Sequence, residues 1–189
     1  RISAIRSVTS TTKTITGTRV TDPTTKRITT SMRFFLTLVG FIVLLSSCDV
    51  NRVYEQNTDL SERIWLEDSV VEFDVRLDDA SMPYNVYANI RNGSSYPFYN
   101  LYMQYAIVDS TGREVKKNLE NLILFEPKTG EPYGSGLGDV FDHQIPILKG
   151  YYFPDVGSYK VRMQQYMRRD TLEEIYSVGV RVELAGVED

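Results

Sequence analysis

Chemistry has few places to start in this chain. It holds one cysteine, Cys48, and one histidine, His143. A lone cysteine forms no internal disulfide and no multi-thiolate site, and a lone histidine does not build a zinc centre. His143 lies in Phe141-Asp142-His143-Gln144 with no Gly-x-Ser-x-Gly elbow, so it reads as a surface or hydrogen-bonded loop residue and not as part of a triad. Gly134-Ser135-Gly136-Leu137-Gly138 lacks the spacing and the lysine of a phosphate loop, and reads as a tight crossover where backbones approach closely. Carboxylates pair at Asp78-Asp79 and at Glu72 with Asp74. Two carboxylates ~5–9 Å apart serve glycoside hydrolysis, but these positions suit a solvated face. Two aromatic clusters remain, Tyr96, Phe98 and Tyr99, then Tyr151, Tyr152 and Phe153. Exposed, such rings stack on sugars or anchor a protein interface; buried, they only pack. Nothing here calls for an enzyme, a metal or a soluble cofactor.

Cys48 is different because of what precedes it. Residues 1–31 are roughly half Ser and Thr, with no aromatic residue and no apolar period. Such a stretch cannot bury enough surface to offset its ordering entropy, so it reads as a disordered leader, upstream of a true start at Met32. From there the chain runs Met32-Arg33, then the twelve residues Phe34–Leu45, ten of them apolar, then Ser46-Ser47-Cys48. Twelve helical residues rise ~18 Å against a ~30 Å hydrocarbon core, so this is the pattern of a secretory signal peptide and not of a span. Its last four residues, Leu45-Ser46-Ser47-Cys48, resemble a bacterial lipobox. That resemblance implies diacylglycerol on the Cys48 thiol, cleavage before Cys48 and acylation of the new amine. Several buried chains at ~0.8 kcal/mol per methylene suffice for stable anchoring.

Charge divides at the same place. Of 21 Lys/Arg and 25 Asp/Glu, residues 1–47 hold seven and one, and residues 48–189 keep 14 and 24, a net near −10. A body that acidic repels phosphate backbones, which excludes nucleic acid as a partner. Residues 48–67 show little pattern and read as the lipidated N-terminus and a tether, with Trp65 near the start of the fold. Residues 68–185 alternate apolar and polar with period two, in Val70–Leu77, Tyr84–Arg91, Leu101–Asp109, Tyr159–Arg168 and Ile175–Glu183. Arg113–Lys117 and Asn121–Phe125 add shorter runs, Asn92-Gly93 and Asp109–Gly112 read as turns, and Leu137–Tyr152 reads as a long connection between sheets. Six to eight strands with no helical stretch predict an all-β antiparallel sandwich, with a jelly-roll among its forms.

The body resembles the gliding-motility lipoprotein GldH family of the Bacteroidota. The likeness is carried by Asn51-Arg52-Val53-Tyr54, Pro83-Tyr84-Asn85-Val86-Tyr87, Tyr96-Pro97-Phe98-Tyr99-Asn100-Leu101, Gly134–Asp139, Phe153–Val161 and Gln164-Gln165-Tyr166-Met167-Arg168. It implies a lipid-anchored envelope protein that supports surface gliding and adhesin secretion, with no enzymatic residues to carry over. No acidic run follows Cys48, so export to the cell surface is not expected and the periplasmic face of the outer membrane is favoured; Asp49 would mean inner-membrane retention under enteric rules, which leaves the inner membrane as the alternative. Asp68-Ser69-Val70, Asp109-Ser110-Thr111 and Asp170-Thr171-Leu172 resemble Bacteroidota O-glycosylation sites, at Ser69, Ser110 and Thr171. Two functions are therefore expected in competition: a non-enzymatic component that binds other envelope proteins, or a β-sandwich that binds glycans.

Overall fold

The computed structural model describes residues 51–186, so residues 1–50, with the leader, the signal peptide and the lipobox, lie outside it. Eight long strands appear: β1 (Arg52–Asp59), β3 (Val71–Leu77), β4 (Tyr84–Gly93), β5 (Asn100–Asp109), β6 (Glu114–Ile123), β8 (Val140–Tyr151), β9 (Gly157–Gln165) and β11 (Ile175–Leu184). Three short ones join them, β2 (Ile64–Leu66), β7 (Ser135–Leu137) and β10 (Thr171–Glu173).

One sheet runs β1-β11-β4-β8-β7, the other β3-β9-β5-β6, and β10-β2 forms a small ribbon. Every named pairing is antiparallel. Among the long strands the first pairs the last, β1 with β11, and inward from both ends β3 pairs β9, β4 pairs β8 and β5 pairs β6. The chain is thus one long antiparallel ribbon bent at the β5–β6 turn and rolled so that alternate pairs fall in opposite sheets. That is the jelly-roll form of the expected sandwich.

The alternation of the sequence builds the core. Val71, Phe73, Val75 and Leu77 of β3, Tyr84, Val86, Ala88 and Ile90 of β4, and Val178, Val180 and Val182 of β11 are all buried. At ~25 cal/mol per Å² of apolar area, this shared interior supplies the main stabilising term. Trp65 is fully buried and donates its Nε1–H to the Ser69 carbonyl at 3.0 Å.

Three readings need correction. The stretch taken as a tether contains β1, whose exposed and half-exposed residues show no alternation because β1 is an edge strand, paired only to β11. The stretch taken as a connection contains β8, twelve residues long. Pro146 disguised it. Beyond Asp142 β7 no longer pairs β8, so β8 becomes an edge there and tolerates a proline. Asn92-Gly93 is not the turn: β4 runs through both, and Asn92 is fully buried.

Candidate functional site

Each sheet turns one face outward, and these faces hold the residues able to meet a ligand. On the four-stranded sheet Gln104 lies opposite Gln164, and Met103 opposite Gln165. One residue further, the Tyr166 amide donates to the Tyr102 carbonyl at 2.7 Å. Tyr102 and Tyr166 are therefore cross-strand neighbours on the wet face, 42% and 50% exposed. Leu119, opposite Gln104 on β6, is exposed beside them. Two rings thus sit next to two amides on a rigid lattice, ~4.8 Å apart across strands and ~6.8 Å along them. Gln164 is fixed by its Nε2–H bond to the Glu67 carbonyl at 2.7 Å, which leaves its oxygen free to accept. Further along, Ala106 floors a shallow cavity of about 170 Å³ between Arg162 and Lys117. Glu72 pairs with Arg162 at 2.7 Å and Lys160 at 3.0 Å, and the Lys160 hydrogen bond holds its carboxyl below the usual range.

The five-stranded sheet shows a polar face. Asn57 of β1, Gly179 of β11, Asn89 of β4 and Gln144 of β8 form one row across four strands. Asn89 donates to Asn57 Oδ1 at 3.3 Å and to Glu55 Oε1 at 3.2 Å, and Gln144 donates to Asn89 Oδ1 at 3.4 Å. In the adjoining row Glu55 accepts from Arg181, and Arg181 also pairs Glu183 at 3.0 Å. Asn57, Asn89, Gln144, Ser135 and Ser177 line a depression of about 370 Å³. Side-chain amides joined by bonds this long, each with two donors and a two-lone-pair acceptor, have hydrogen-bonding capacity left over.

The residues singled out from sequence fall unevenly. Tyr96 is 6% exposed, donates its hydroxyl to the Asn100 carbonyl at 3.0 Å, and has its phenol pushed far up by burial. Phe98 packs edge-on against it at 5.8 Å and is partly buried. Tyr151 is half-buried against Phe153 at 4.9 Å. Of the two alternatives left open for the clusters, these three take the packing one; Tyr99 and Tyr152 are exposed. His143 is corrected too: it sits buried on β8 under Gly134 and Phe125, and burial pushes its pKa down. Its Nε2 has no hydrogen-bond partner among the described residues. Gly134 and Gly136 do mark a close backbone approach, in the β7–β8 hairpin: a Cβ on Gly134 would come 2.5 Å from the Asp142 carbonyl. Asp78 and Asp79 stand in the β3–β4 turn, and Asp79 caps it by accepting from the Ser81 amide and hydroxyl. Ser110 and Thr171 are exposed, and Ser69 is half-buried. Among the described residues no group of three His, Cys, Asp or Glu side chains could hold a metal. Cys48, Leu45, Ser46 and Ser47 lie outside the described residues.

Fold and faces together define a class: a β-sandwich that presents aromatic–amide and amide–carboxylate lattices from rigid strands. Comparison with known proteins narrows it. The family model described as GldH lipoprotein matches residues 52–182. The gliding motility lipoprotein GldH homolog of Christiangramia forsetii is 35% identical over 149 residues, covering 75% of this chain and 90% of that protein. Gliding motility lipoprotein GldH of Flavobacterium johnsoniae is 34% identical over 151 residues, with the same coverage. The chain belongs to the GldH lipoprotein family. Among solved structures, the infectious bursal disease virus Gx strain superposes with a TM-score of 0.40 at 12% identity, over 74% of this chain and 34% of that chain, and the two are not equated.

Proposed function

We propose that the chain is a lipid-anchored, non-enzymatic component of the cell envelope that serves a gliding-motility or secretion-associated assembly by docking other envelope proteins. Diacylglycerol and acyl chains on Cys48 hold it to the membrane, on the periplasmic face of the outer membrane. The relatives' names, gliding motility lipoprotein, support the setting. The observation that carries the docking role is the Tyr102–Tyr166 pair, two large rings left half-exposed on a sheet face with Leu119 beside them. Exposed aromatics on a rigid scaffold are the usual anchors of protein interfaces. Photo-crosslinking tests this directly. With benzoylphenylalanine at position 102 or 166 in cells, an adduct to a defined envelope protein is expected, absent when the probe stands at the polar-face position 144. Adducts at neither tyrosine would overturn it.

A glycan-binding role is the second reading, favoured by one observation: Gln104 and Gln164 lie directly opposite each other beside the two rings. Rings stack on the C–H face of a pyranose while amides bond its hydroxyls. Retardation of the protein in gels containing neutral polysaccharide, abolished by Tyr102→Ala, would select this reading over protein docking.

A further inference from the structure

The end of the sandwich nearest the proposed anchor carries exposed apolar groups on a rigid mount. Asn51 already belongs to the fold, since its carbonyl accepts from the Leu184 amide at 2.9 Å. Two residues, Asp49 and Val50, separate it from Cys48, three Cα steps with a reach of at most ~11 Å. β1 then carries the chain over eight residues to the opposite end, ~24 Å away at ~3.4 Å per step. The near end is made by register: Arg52 lies opposite Glu183, Glu183 opposite Asn85, Tyr84 opposite Tyr151, and Leu77 opposite Gly157.

At this end the chain crosses from β8 to β9 through Tyr152-Phe153-Pro154-Asp155-Val156. Phe153 is buried, with ring centroids of Tyr151 and Tyr159 each 4.9 Å away and that of Tyr84 at 5.7 Å. Two bonds pin the same loop: Tyr159 donates its hydroxyl to the Asp155 carbonyl at 2.7 Å, and the Asp155 amide donates to that hydroxyl at 3.1 Å. So held, the loop leaves Tyr152 60% and Val156 61% exposed. Tyr152 and Lys149 also border an open depression of about 710 Å³.

We propose that the β8–β9 loop end is the surface seated on the bilayer, with Tyr152 and Val156 entering the boundary between headgroups and acyl chains. This rests on the reading of Cys48 as the lipid anchor. Tyrosine partitions to that boundary because its ring is apolar and its hydroxyl stays wet, and a neighbouring lysine extends its ammonium to the headgroups. A pinned loop loses little entropy on insertion. The occupant is the membrane and not a protein because the leash ties Asn51, at this same end, to within ~11 Å of Cys48.

Trp65 provides an internal control, as the only tryptophan, fully buried beyond the far end of β1. The test uses the lipid-modified protein purified from membranes and reconstituted into phosphatidylethanolamine–phosphatidylglycerol vesicles containing dibrominated phosphatidylcholine. In Tyr152→Trp, and separately in Val156→Trp, the bromines should quench most of the emission the new tryptophan adds, while Trp65 emission of the unsubstituted protein stays unchanged. Protein that floats with the vesicles but shows no quenching in either variant overturns the inference and leaves the anchor standing. Protein that fails to float overturns both.

Discussion

Gly179 is the point where the edge strand β1 is most easily disturbed. It occupies the centre of the Asn57–Gly179–Asn89–Gln144 row, and its missing side chain is the bed on which Asn57 lies to reach Asn89. A Cβ built there would overlap Asn57 Oδ1 and stand 2.7 Å from Asn57 Cγ and from the Gln56 carbonyl. Two effects oppose each other in Gly179→Ala. Glycine inside a strand is worse than alanine by ~0.5–1 kcal/mol on entropy grounds, which favours the substitution. Overpacking costs ~1–3 kcal/mol, and only the Asn57 part can be relieved by a rotamer change, because the Gln56 carbonyl belongs to the β1 backbone. The clash wins, and we expect a net loss of about 1–2 kcal/mol, a fall in Tm of roughly 3–8 °C for a domain of this size. Hydrogen exchange should quicken in β1 and β11 and not in β5 or β6. Adding Asn57→Ala should recover about 1 kcal/mol of coupling. A Gly179→Ala protein that melts with the wild type, or a double variant whose losses simply add, would refute the reasoning.

Other expectations follow from single environments. The Tyr105 hydroxyl is buried with no partner among the described residues, and burial pushes its pKa up to about 12; Tyr105→Phe should be neutral or raise Tm, since it deletes an unsatisfied polar group. Phe153→Ala should cost about 3–5 kcal/mol in a urea melt, the usual loss for a buried phenylalanine, and should also free Tyr152, seen as faster local exchange. Asp109 accepts from Thr111 and Arg113 at the β5–β6 turn, and the Thr111 hydroxyl foremost holds its carboxyl at about 2 against an ordinary 3.8. Its contribution is complete above about pH 4 and lost as pH falls toward 2, and Asp109→Asn should remove that acid-side slope; an unchanged slope would show that the turn owes nothing to the charge.

The alternation of β3, β4, β5, β9 and β11 was legible because each buries one face and wets the other, which imposes period two directly. β1 was not legible, since an edge strand with polar residues on both sides, Arg52 through Asp59, looks like a linker. β8 alternates Phe141, His143, Ile145 and Ile147 against Asp142, Gln144 and Pro146, yet one proline and the glycines at 138 and 150 outweighed the pattern. The misplacement of His143 followed from that. Aromatic density misled in a different way: a run such as Tyr96–Tyr99 says nothing about which ring faces inward. The better signal is an aromatic in the polar phase of a strand, which would have singled out Tyr102 and Tyr166.

The pairing of the first long strand with the last has a mechanical meaning. If tension enters at the membrane through Cys48 and leaves at the opposite end, it runs along β1, parallel to the strand. The β1–β11 ladder, which pairs residues from Arg52 with Glu183 to Asp59 with Ser177, is then strained in shear, all its bonds at once and not one after another as a zipper opens. A molecule tethered in this way resists being pulled from its own anchor, which suits the role proposed for it between a bilayer and an envelope assembly.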